Sequence, residues 1–305
     1  MEKYSPIVLF TYNRPWHTRQ TLDALSRNEE AQESILYIYC EGAKNNALPE
    51  NIKKIEEVRR IVKSETRFKK VVIVEQGENL GLANSVLSGV TDVINIHERV
   101  IVLEDDHITS PYFLRYMNDG LQLYENVEEV ACLSGYIYPV KGKLPETFFI
   151  KGADCWGWAT WKRIWTDFER DGKKLLDALE SSHQTFAFDF DGTYPYTQML
   201  KGQIEGKNSS WAIRWYASAF LKNKYCLYPG ISLVQNIGID GSGTHSGISD
   251  KWKITLSDHP VTVRAIDIEE NREAKILMIE YFKNLSSSSS FLKRVVGKIK
   301  SVFKN

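Results

Sequence analysis

Short apolar runs alternate with amphipathic segments through the first 135 residues. Five runs predict buried strands, because they are apolar at nearly every position and too short for helices: Ile7–Phe10, Ile35–Cys40, Val71–Val74, Val100–Leu103 and Val130–Ser134. The segments between them predict helices over Pro15–Arg27, Lys53–Lys63, Asn79–Ile96 and Pro111–Tyr124. Strands that alternate with helices indicate a mostly parallel sheet with helices on both faces.

The pattern is less regular after residue 135. Short strands are predicted at Phe148–Ile150, Cys226–Pro229 and Ser232–Val234. Helices are predicted to open in the tryptophan-rich Asp154–Arg163 segment, after Ser210 as N-cap, and over Glu269–Asn284. Residues 182–208 are rich in Gly, Asp and Ser and predict a mobile loop.

Composition narrows the class of protein. At 305 residues, 43% of them hydrophobic, the chain can build one large α/β domain or two small ones. Its formal net charge of zero argues against bulk electrostatic attraction to nucleic acid. Cys40, Cys132, Cys155 and Cys226 form no CxxC pair, so we expect a reducing compartment and neither a zinc site nor a disulfide framework.

Targeting segments and common nucleotide fingerprints are not evident. The first predicted strand begins within a few residues of Met1, so we expect no signal peptide, and no apolar stretch is long enough to span a bilayer. No GxGxxG follows the first strand, and neither GxxxxGK[ST] nor GxSxG occurs. Dinucleotide-binding, P-loop and serine-hydrolase functions therefore lack their signatures.

Three consecutive acids, Glu104, Asp105 and Asp106, follow the apolar run Val100–Leu103 directly. Three carboxylates at a strand end repel one another unless a cation lies among them. Oxygen ligands suit Mg²⁺ or Mn²⁺, which proteins usually hold through one or two carboxylates plus substrate phosphates. A solvated acidic turn before the helix near Pro111 would explain the same residues.

Other polar segments follow neighbouring strands in the same way. Thr11–Arg14 follow the first strand, Glu41 the second and Asn79–Ser85 the third. In open α/β sheets ligands bind beyond the carboxyl ends of the strands. We therefore expect these segments to meet the three acids at one edge, which favours a metal site over an acidic turn. Gly238–Gly247, with four glycines in ten residues, would let backbone approach a ligand closely.

The C-terminus has a pattern of its own. Ser286–Ser290 predict a flexible linker. Phe291–Lys304 then place apolar residues, among them Val295 and Val296, on one helical stripe and basic residues on the other face. A basic amphipathic helix on a serine tether favours contact with an anionic membrane surface over docking on its own domain.

Several segments, taken in order, resemble the GT-A fold nucleotide-sugar glycosyltransferases, and among them the N-acetylglucosaminyltransferase I group. They are Thr11–Pro15, Asn79–Gly81, Glu104–Asp106, Leu227–Ser232 and Gly241–His245. Glu104–Asp106 is similar to that group's variant of the Asp-x-Asp motif, and Trp156–Trp158 fits the acceptor half of bacterial relatives. The resemblance covers roughly residues 5–250.

The resemblance implies a GT-A, Rossmann-like central sheet flanked by helices, an irregular acceptor-binding C-terminal half and a C-terminal amphipathic helix. Residues 1–135 would bind the nucleotide sugar. Residues 136–268 would form the acceptor-binding and catalytic subdomain of the same domain. Residues 269–305 would carry the C-terminal helices and the membrane-associating tail.

The resemblance also implies roles on the donor side. Nucleotide-lining residues would be Thr11, Tyr12, Asn13 and Arg14. Glu41 would contact base or ribose, although relatives often carry the shorter Asp there, and Asn79 and Gly81 would support ribose and the donor sugar.

The acids and the glycine-rich loop would bind the metal. Asp106 would ligate it directly, while Glu104 and Asp105 would contact ribose, donor sugar or metal-bound water. His245 would close over the pyrophosphate or the metal, although a lone histidine in such a loop is otherwise a surface residue.

The acceptor side departs from the relatives. Their catalytic base precedes a helix in a Trp-Asp-Asp-Trp setting, whereas Trp211–Trp215 of this chain contains no acid. Asp154 is the first candidate for the base and Glu205 the second. The alternative explanation for Asp154 is that its negative charge interacts favourably with the N-terminal end of a helix dipole. Trp156, Gly157 and Trp158 are the candidate acceptor residues, with at least one tryptophan expected in the core.

The implied activity is metal-dependent, inverting transfer of a sugar from a nucleotide diphosphate, with UDP expected, to a hydroxyl of a saccharide or lipid-linked glycan. The expected setting is bacterial surface polysaccharide or glycoconjugate synthesis at the cytoplasmic face of the membrane, without nucleic acid. One alternative is a sugar nucleotidyltransferase, but that class usually has a glycine-rich loop after the first strand, and Thr11–Pro15 has no glycine. The other is an inactive sugar-nucleotide-binding module.

Overall fold

The computed structural model describes residues 3–241 and 250–285. Its eight-stranded sheet has the order β3-β2-β1-β4-β8-β6-β9-β7. The strands are β1 (Ile7–Thr11), β2 (Ile35–Cys40), β3 (Lys70–Glu75), β4 (Arg99–Glu104), β6 (Val130–Ser134), β7 (Thr147–Lys151), β8 (Trp158–Trp161) and β9 (Tyr225–Pro229). Only β7 and β8, among these described strands, run against the others. The prediction of a mostly parallel sheet is confirmed.

Helices lie between these strands. The longer ones are α1 (Pro15–Leu25), α2 (Pro49–Lys63), α3 (Leu82–His97), α4 (Phe113–Leu123), α6 (Gly172–Ser181), α8 (Tyr196–Ile204) and α9 (Ala212–Leu221). Two single-turn helices, α5 (Lys162–Trp165) and α7 (Thr185–Phe188), and a final helix α10 over residues 272–285 complete the set that is described. Right-handed crossovers from β1 through β3 place α1 and α2 on one face of the sheet, and the return to β4 places α3 on the other.

The starts of the helices follow the local sequence. Pro15 and Pro49 occupy the first turns of α1 and α2, where a missing N–H costs nothing. Gly81 precedes α3 with φ +77°, a conformation that glycine adopts without strain. Trp211, not the predicted Ser210, is the N-cap of α9, but the Ser210 hydroxyl still accepts a hydrogen bond from the backbone N–H of Ile213 at 3.3 Å.

A second, two-stranded sheet closes over the carboxyl edge of β4. Strand β5 (His107–Thr109) pairs antiparallel with β10 (Val234–Asn236). The backbone N–H of Ile237 donates to the carbonyl of Asp106 at 2.8 Å. This pairing brings Gly238 next to Asp106, although the two residues are 132 positions apart in the sequence.

Two predictions for the second half were wrong. Trp158–Trp161 is not helical but forms β8, which pairs with both β4 and β6 in the middle of the sheet. Residues 182–208 are not one loop, since they contain α7 and α8, which pack with α6 and α9. In both places burial between distant segments overrides the local pattern.

Other predictions lie outside the described residues. These are His245, most of the Gly238–Gly247 loop, and the Ser286–Ser290 linker with the Phe291–Lys304 tail. No described helix is both long and apolar enough to cross a membrane.

Candidate active site at the carboxyl edge of the sheet

The three acids lie at the carboxyl end of β4, as predicted, but Arg14 pairs with two of them. The guanidinium of Arg14 binds Asp105 through Nη2, and its Nη1 lies 2.9 Å from Oδ2 of Asp106. The backbone N–H of Tyr12 donates to Oδ2 of Asp105 at 3.3 Å. The loop after β1 therefore holds the acids in place, a role that the sequence pattern did not reveal.

Burial dominates the electrostatics of this cluster. It raises the pKa of Glu104 to about 8, with the charge of Asp106 adding to the effect. Burial also raises the pKa of Asp105, although the Arg14 charge opposes this. For Arg14, burial lowers the pKa, but the two carboxylates outweigh it and leave the value above its usual range.

The residues present fit a divalent cation held partly by substrate. Oδ1 of Asp106 is buried and has no hydrogen-bond partner, while Oδ2 is occupied by Arg14. Within the described ranges, no group of three or more His, Cys, Asp or Glu side chains is arranged to hold a metal. Such an ion would therefore take one or two carboxylate ligands and complete its shell with phosphate and water oxygens, as Mg²⁺ and Mn²⁺ do.

His107 lies directly beneath Asp106 and is 1% exposed. Its Nδ1 accepts a hydrogen bond from the backbone N–H of Glu104 at 3.2 Å, so the proton of the neutral ring lies on Nε2. That Nε2 is 3.6 Å from Oδ1 of Asp106, too long for a hydrogen bond. Burial lowers the pKa of His107 to about 4, which keeps the ring neutral at physiological pH.

The loop after β1 leaves three of its four predicted residues accessible. Tyr12, Asn13 and Arg14 are partly exposed, and Asn13 donates to Oδ1 of Asn51 on α2 at 3.4 Å. Thr11 is 4% exposed and its hydroxyl donates to the carbonyl of Tyr39, so its side chain is part of the sheet rather than of the pocket lining.

Glu41 organises the backbone at the ends of β2 and β3. Its Oε1 accepts from the N–H groups of Gly42 and Leu80, and its Oε2 accepts from the Ser85 hydroxyl at 2.6 Å. At 7% exposure, the carboxylate is satisfied internally, so the predicted contact with base or ribose would compete with these bonds. Asn79 donates to the carbonyl of Gly42 at 3.0 Å and supports the same turn.

Gly238 lies against the Arg14–Asp106 pair from the opposite side. A Cβ at this position would lie 2.0 Å from Oδ2 of Asp106 and 2.7 Å from Nη1 of Arg14. Nearby, Nε2 of His17 is 3.1 Å from Oδ2 of Asp240, which ties α1 to the same loop. Only glycine allows the backbone to approach the acids this closely.

An aromatic cavity of about 250 Å³ is built from the second half of the chain. Nine aromatic side chains line it: Tyr136, Tyr138, Trp156, Phe190, Tyr194, Tyr196, Tyr216, Tyr228 and Trp252. Asp154 is the one carboxylate among its described lining residues, and Lys151 is the one cation. The sequence analysis did not find these tyrosines as a group, because they come from four separate segments.

Asp154 is held by hydrogen bonds on both oxygens. The backbone N–H of Cys155 donates to Oδ1 at 2.6 Å, and the hydroxyl of Tyr228 donates to Oδ2 at 2.9 Å. Burial raises the pKa of Asp154, while these donors oppose the shift. Burial raises the pKa of the Cys155 thiol, and the charges of Asp154, Glu104 and Asp106 add to the effect, so this cavity-lining residue lies near the acids.

The remaining candidate acceptor residues differ in burial. Trp156 is partly exposed and lines the cavity. Trp158 is 1% exposed and packs on Trp165, Trp211 and Trp215, so its predicted role of stacking on an acceptor is wrong. Gly157 is also buried, with φ +58° and its carbonyl accepting from the N–H of Gly135.

The second candidate base lies elsewhere. Glu205 follows the end of α8, is exposed and pairs with Lys207 at 2.5 Å. It does not line the aromatic cavity. Asp154 is therefore the one of the two candidates that faces an enclosed space.

No protein-family model and no curated protein sequence matches this chain. Among solved structures, a crystal structure of S. aureus TarS has a TM-score of 0.31 and 12% identity, over 49% of this chain and 24% of that chain. A crystal structure of S. aureus TarS 1-349 has a TM-score of 0.41 and 9% identity, over 76% of this chain and 59% of that one. This chain thus spans about a quarter and about three fifths of the two matched chains. The resemblance to the N-acetylglucosaminyltransferase I group stays a prediction.

Proposed function

We propose that this protein is a glycosyltransferase that binds a nucleotide diphosphate sugar at the carboxyl edge of β1–β4. The main support is the Glu104–Asp106 cluster at the end of β4, which is paired with Arg14 of the β1 loop. The aromatic cavity that contains Asp154 lies nearby. Sheets of this kind bind ligands at that edge. The aromatic cavity around Asp154 would receive the acceptor.

The donor would lie across the loop after β1. Tyr12 and Asn13 supply a ring and an amide beside the helix starts of α1 and α2, where backbone N–H groups favour anionic ligands. Arg14, which lies beside the acids, would supply positive charge to a diphosphate bound there. UDP is the nucleotide carried over from the sequence resemblance.

Asp106 would hold the metal, with Glu104 and Asp105 contributing to ribose, donor sugar or bound water. When bound, Mn²⁺ or Mg²⁺ would neutralise the charge on the diphosphate leaving group. His245 would assist from the loop that lies outside the described residues. The neutral ring of His107 adds no positive charge beside Asp106, whose countercharge is Arg14.

Asp154 would act as the base for inverting transfer. Its raised pKa and its position in the cavity suit a carboxylate that accepts the proton of an acceptor hydroxyl. Tyr228 and the Cys155 N–H fix its orientation, and Trp156 offers a ring face to a sugar. The acceptor would be a saccharide or a lipid-linked glycan in surface glycan synthesis, with the Phe291–Lys304 tail on an anionic membrane.

Nucleotide binding tests the proposal. Thermal unfolding of the full chain is measured with UDP and Mn²⁺, with each alone, and with UDP plus EDTA. A ligand at about 100 times its Kd stabilises the folded state by about 2.7 kcal/mol, which raises Tm by several degrees. We expect this rise with UDP and Mn²⁺ together and its loss in Asp106→Asn.

The matched control is Asp177→Asn, which removes an exposed carboxylate on α6 and should keep the full shift. A Tm that no nucleoside diphosphate changes would count against the proposal. With a bound nucleotide sugar, release of nucleoside diphosphate supports transfer. Pyrophosphate release from a nucleoside triphosphate and a sugar phosphate would instead indicate a nucleotidyltransferase, and binding without turnover would indicate an inactive module.

A further inference from the structure

An open groove of about 610 Å³ runs beside the aromatic cavity. Tyr138 lines both spaces, and its hydroxyl lies 3.5 Å from Oδ2 of Asp154. Trp252 lines the cavity, while its neighbours Lys253 and Ile254 line the groove. The cavity and the groove are therefore neighbours, with Tyr138 in the wall of both.

The groove is built from three segments held together by hydrogen bonds. The hydroxyl of Ser232, which is 2% exposed, accepts from the N–H of Ile137 at 3.2 Å. The N–H of Gly230 donates to the carbonyl of Glu146 at 2.8 Å. The N–H of Ile254 donates to Oε1 of Gln235 at 2.7 Å. These bonds fix the walls without using the aliphatic side chains that line the groove.

The groove differs from the cavity in chemistry. Its apolar lining is aliphatic: Ile137, Pro139, Val140, Leu144, Ile231 and Ile254. Tyr138 is the one aromatic ring among its described lining residues. Aromatic faces suit sugar rings, whereas a row of aliphatic side chains suits a hydrocarbon chain. Ile231, a large hydrophobic residue, is 43% exposed here.

Lys253, next to Trp252, is the one cation of the described groove lining. Lys141 and Lys143 alternate along the chain with the lining residues Val140, Gly142 and Leu144 and do not line the groove themselves. All three lysines are exposed, and none forms an ion pair within the described ranges. Asp250 is the one carboxylate of the described lining. The junction between cavity and groove is thus suited to an anionic group.

We propose that the groove binds the hydrocarbon chain of a lipid-phosphate-linked acceptor. The sugar would lie in the aromatic cavity near Asp154, the phosphate near Lys253 and the aliphatic chain along Ile231 and Ile254. The inference rests on the proposed function for the identity of the cavity's occupant. It names the acceptor class as a saccharide joined through phosphate to a long aliphatic chain.

The test is titration of the full chain with farnesyl phosphate, followed by tryptophan fluorescence, since Trp252 lies at the junction. Farnesol and inorganic phosphate are titrated separately. We expect farnesyl phosphate to bind at least about tenfold more tightly than either, because it engages both the lysine and the apolar wall. Ile231→Glu and Lys253→Glu should each weaken its binding by about tenfold.

Two control variants make the same chemical changes away from the groove. Ile96→Glu alters an isoleucine that is 68% exposed on α3, and Lys173→Glu alters an exposed lysine on α6. Both should bind farnesyl phosphate like the wild type. Equal binding in all variants, or no binding to the wild type, overturns the groove assignment. Lys253 is exposed, so its variant keeps the test valid if Ile231→Glu folds poorly.

The UDP and Mn²⁺ thermal shift separates this inference from the proposed function. If UDP and Mn²⁺ raise Tm but farnesyl phosphate does not bind, the groove assignment is refuted and the glycosyltransferase proposal stands. Farnesyl phosphate binding that the two groove variants abolish, without any UDP shift, supports the lipid groove and refutes the proposed function.

Discussion

The hydroxyl of Tyr228 donates a hydrogen bond of 2.9 Å to Oδ2 of Asp154. Tyr228 lies on β9, and Asp154 lies in the segment that leads into β8, 74 residues earlier in the chain. The bond fixes the carboxylate at the wall of the aromatic cavity. It also favours the charged form of Asp154 against the burial that raises its pKa.

Tyr228→Phe removes this donor. The pKa of Asp154 should rise further, so the acidic limb of the pH profile of kcat/KM for sugar transfer should move to higher pH. At pH 6 we expect kcat/KM to fall by about tenfold. Tyr225→Phe, on the same strand but away from Asp154, is the control. Unchanged pH profiles in both variants would remove Asp154 from the role of base.

Arg14→Met leaves Asp105 and Asp106 without their countercharge. Because the Asp105 side chain is only 4% exposed, we expect the free energy of unfolding to fall by about 3 kcal/mol at pH 7.5. Without Arg14 the acids protonate more readily, so the loss should shrink as the pH falls. Urea unfolding at pH 7.5 and pH 5 measures both effects. Lys173→Met, which breaks an exposed ion pair, should leave stability unchanged, and an equal effect in the two variants would contradict this account.

Gly238→Ala places a methyl group where Asp106 and Arg14 meet. Since its Cβ would lie 2.0 Å from Oδ2 of Asp106, the carboxylate must move, and we expect the Kd for UDP with Mn²⁺ to rise by about tenfold. Calorimetric titration measures the change. Gly77→Ala is the control, because a Cβ there meets no atom within 4 Å. Wild-type affinity in Gly238→Ala would place the nucleotide and metal away from Asp106.

Glu30 is a buried acid outside the site. It is 8% exposed, and its Oε2 has no hydrogen-bond partner. Burial raises its pKa, so the folded state favours the protonated form. The stability that this protonation supplies is present at low pH and is lost as the pH rises through the pKa of the folded state.

Glu30→Gln should therefore raise the free energy of unfolding at pH 8 by about 1 kcal/mol, with the gain disappearing near pH 4. Denaturant unfolding at the two pH values checks this. Glu29→Gln changes an exposed neighbour and should have no such pH-dependent gain. A gain of the same size at both pH values would mean that the effect is not electrostatic.

The proposed membrane contact depends on the C-terminal tail. Val295→Asp combined with Val296→Asp places two charges on the apolar stripe of Phe291–Lys304. We expect the full chain to sediment with anionic vesicles and this variant to lose that binding, because a charged stripe cannot enter the lipid interface. Unchanged sedimentation of the variant would assign the binding to another surface.

The sequence alone determined the strands of the first half and the place of the acids. Ile35–Cys40 and Val130–Ser134 are strands with the predicted bounds, and Glu104–Asp106 follow β4 at the ligand-binding edge. Apolar runs of this length are buried in any arrangement of the sheet, and the polar residues after them must lie at its edge. Local pattern was therefore sufficient for these strands and for the position of the acids.

Tertiary structure decided the roles within the site. Trp158–Trp161 became a central strand because β4 and β6 offered it backbone partners and a tryptophan core. Arg14 became the countercharge of Asp105 and Asp106, and Glu41 became an internal acceptor. The cavity around Asp154 combines side chains from segments up to about a hundred residues apart. Strand pairing, ion pairs and the enclosure of a cavity depend on residues that are far apart in the sequence, so local periodicity does not predict them.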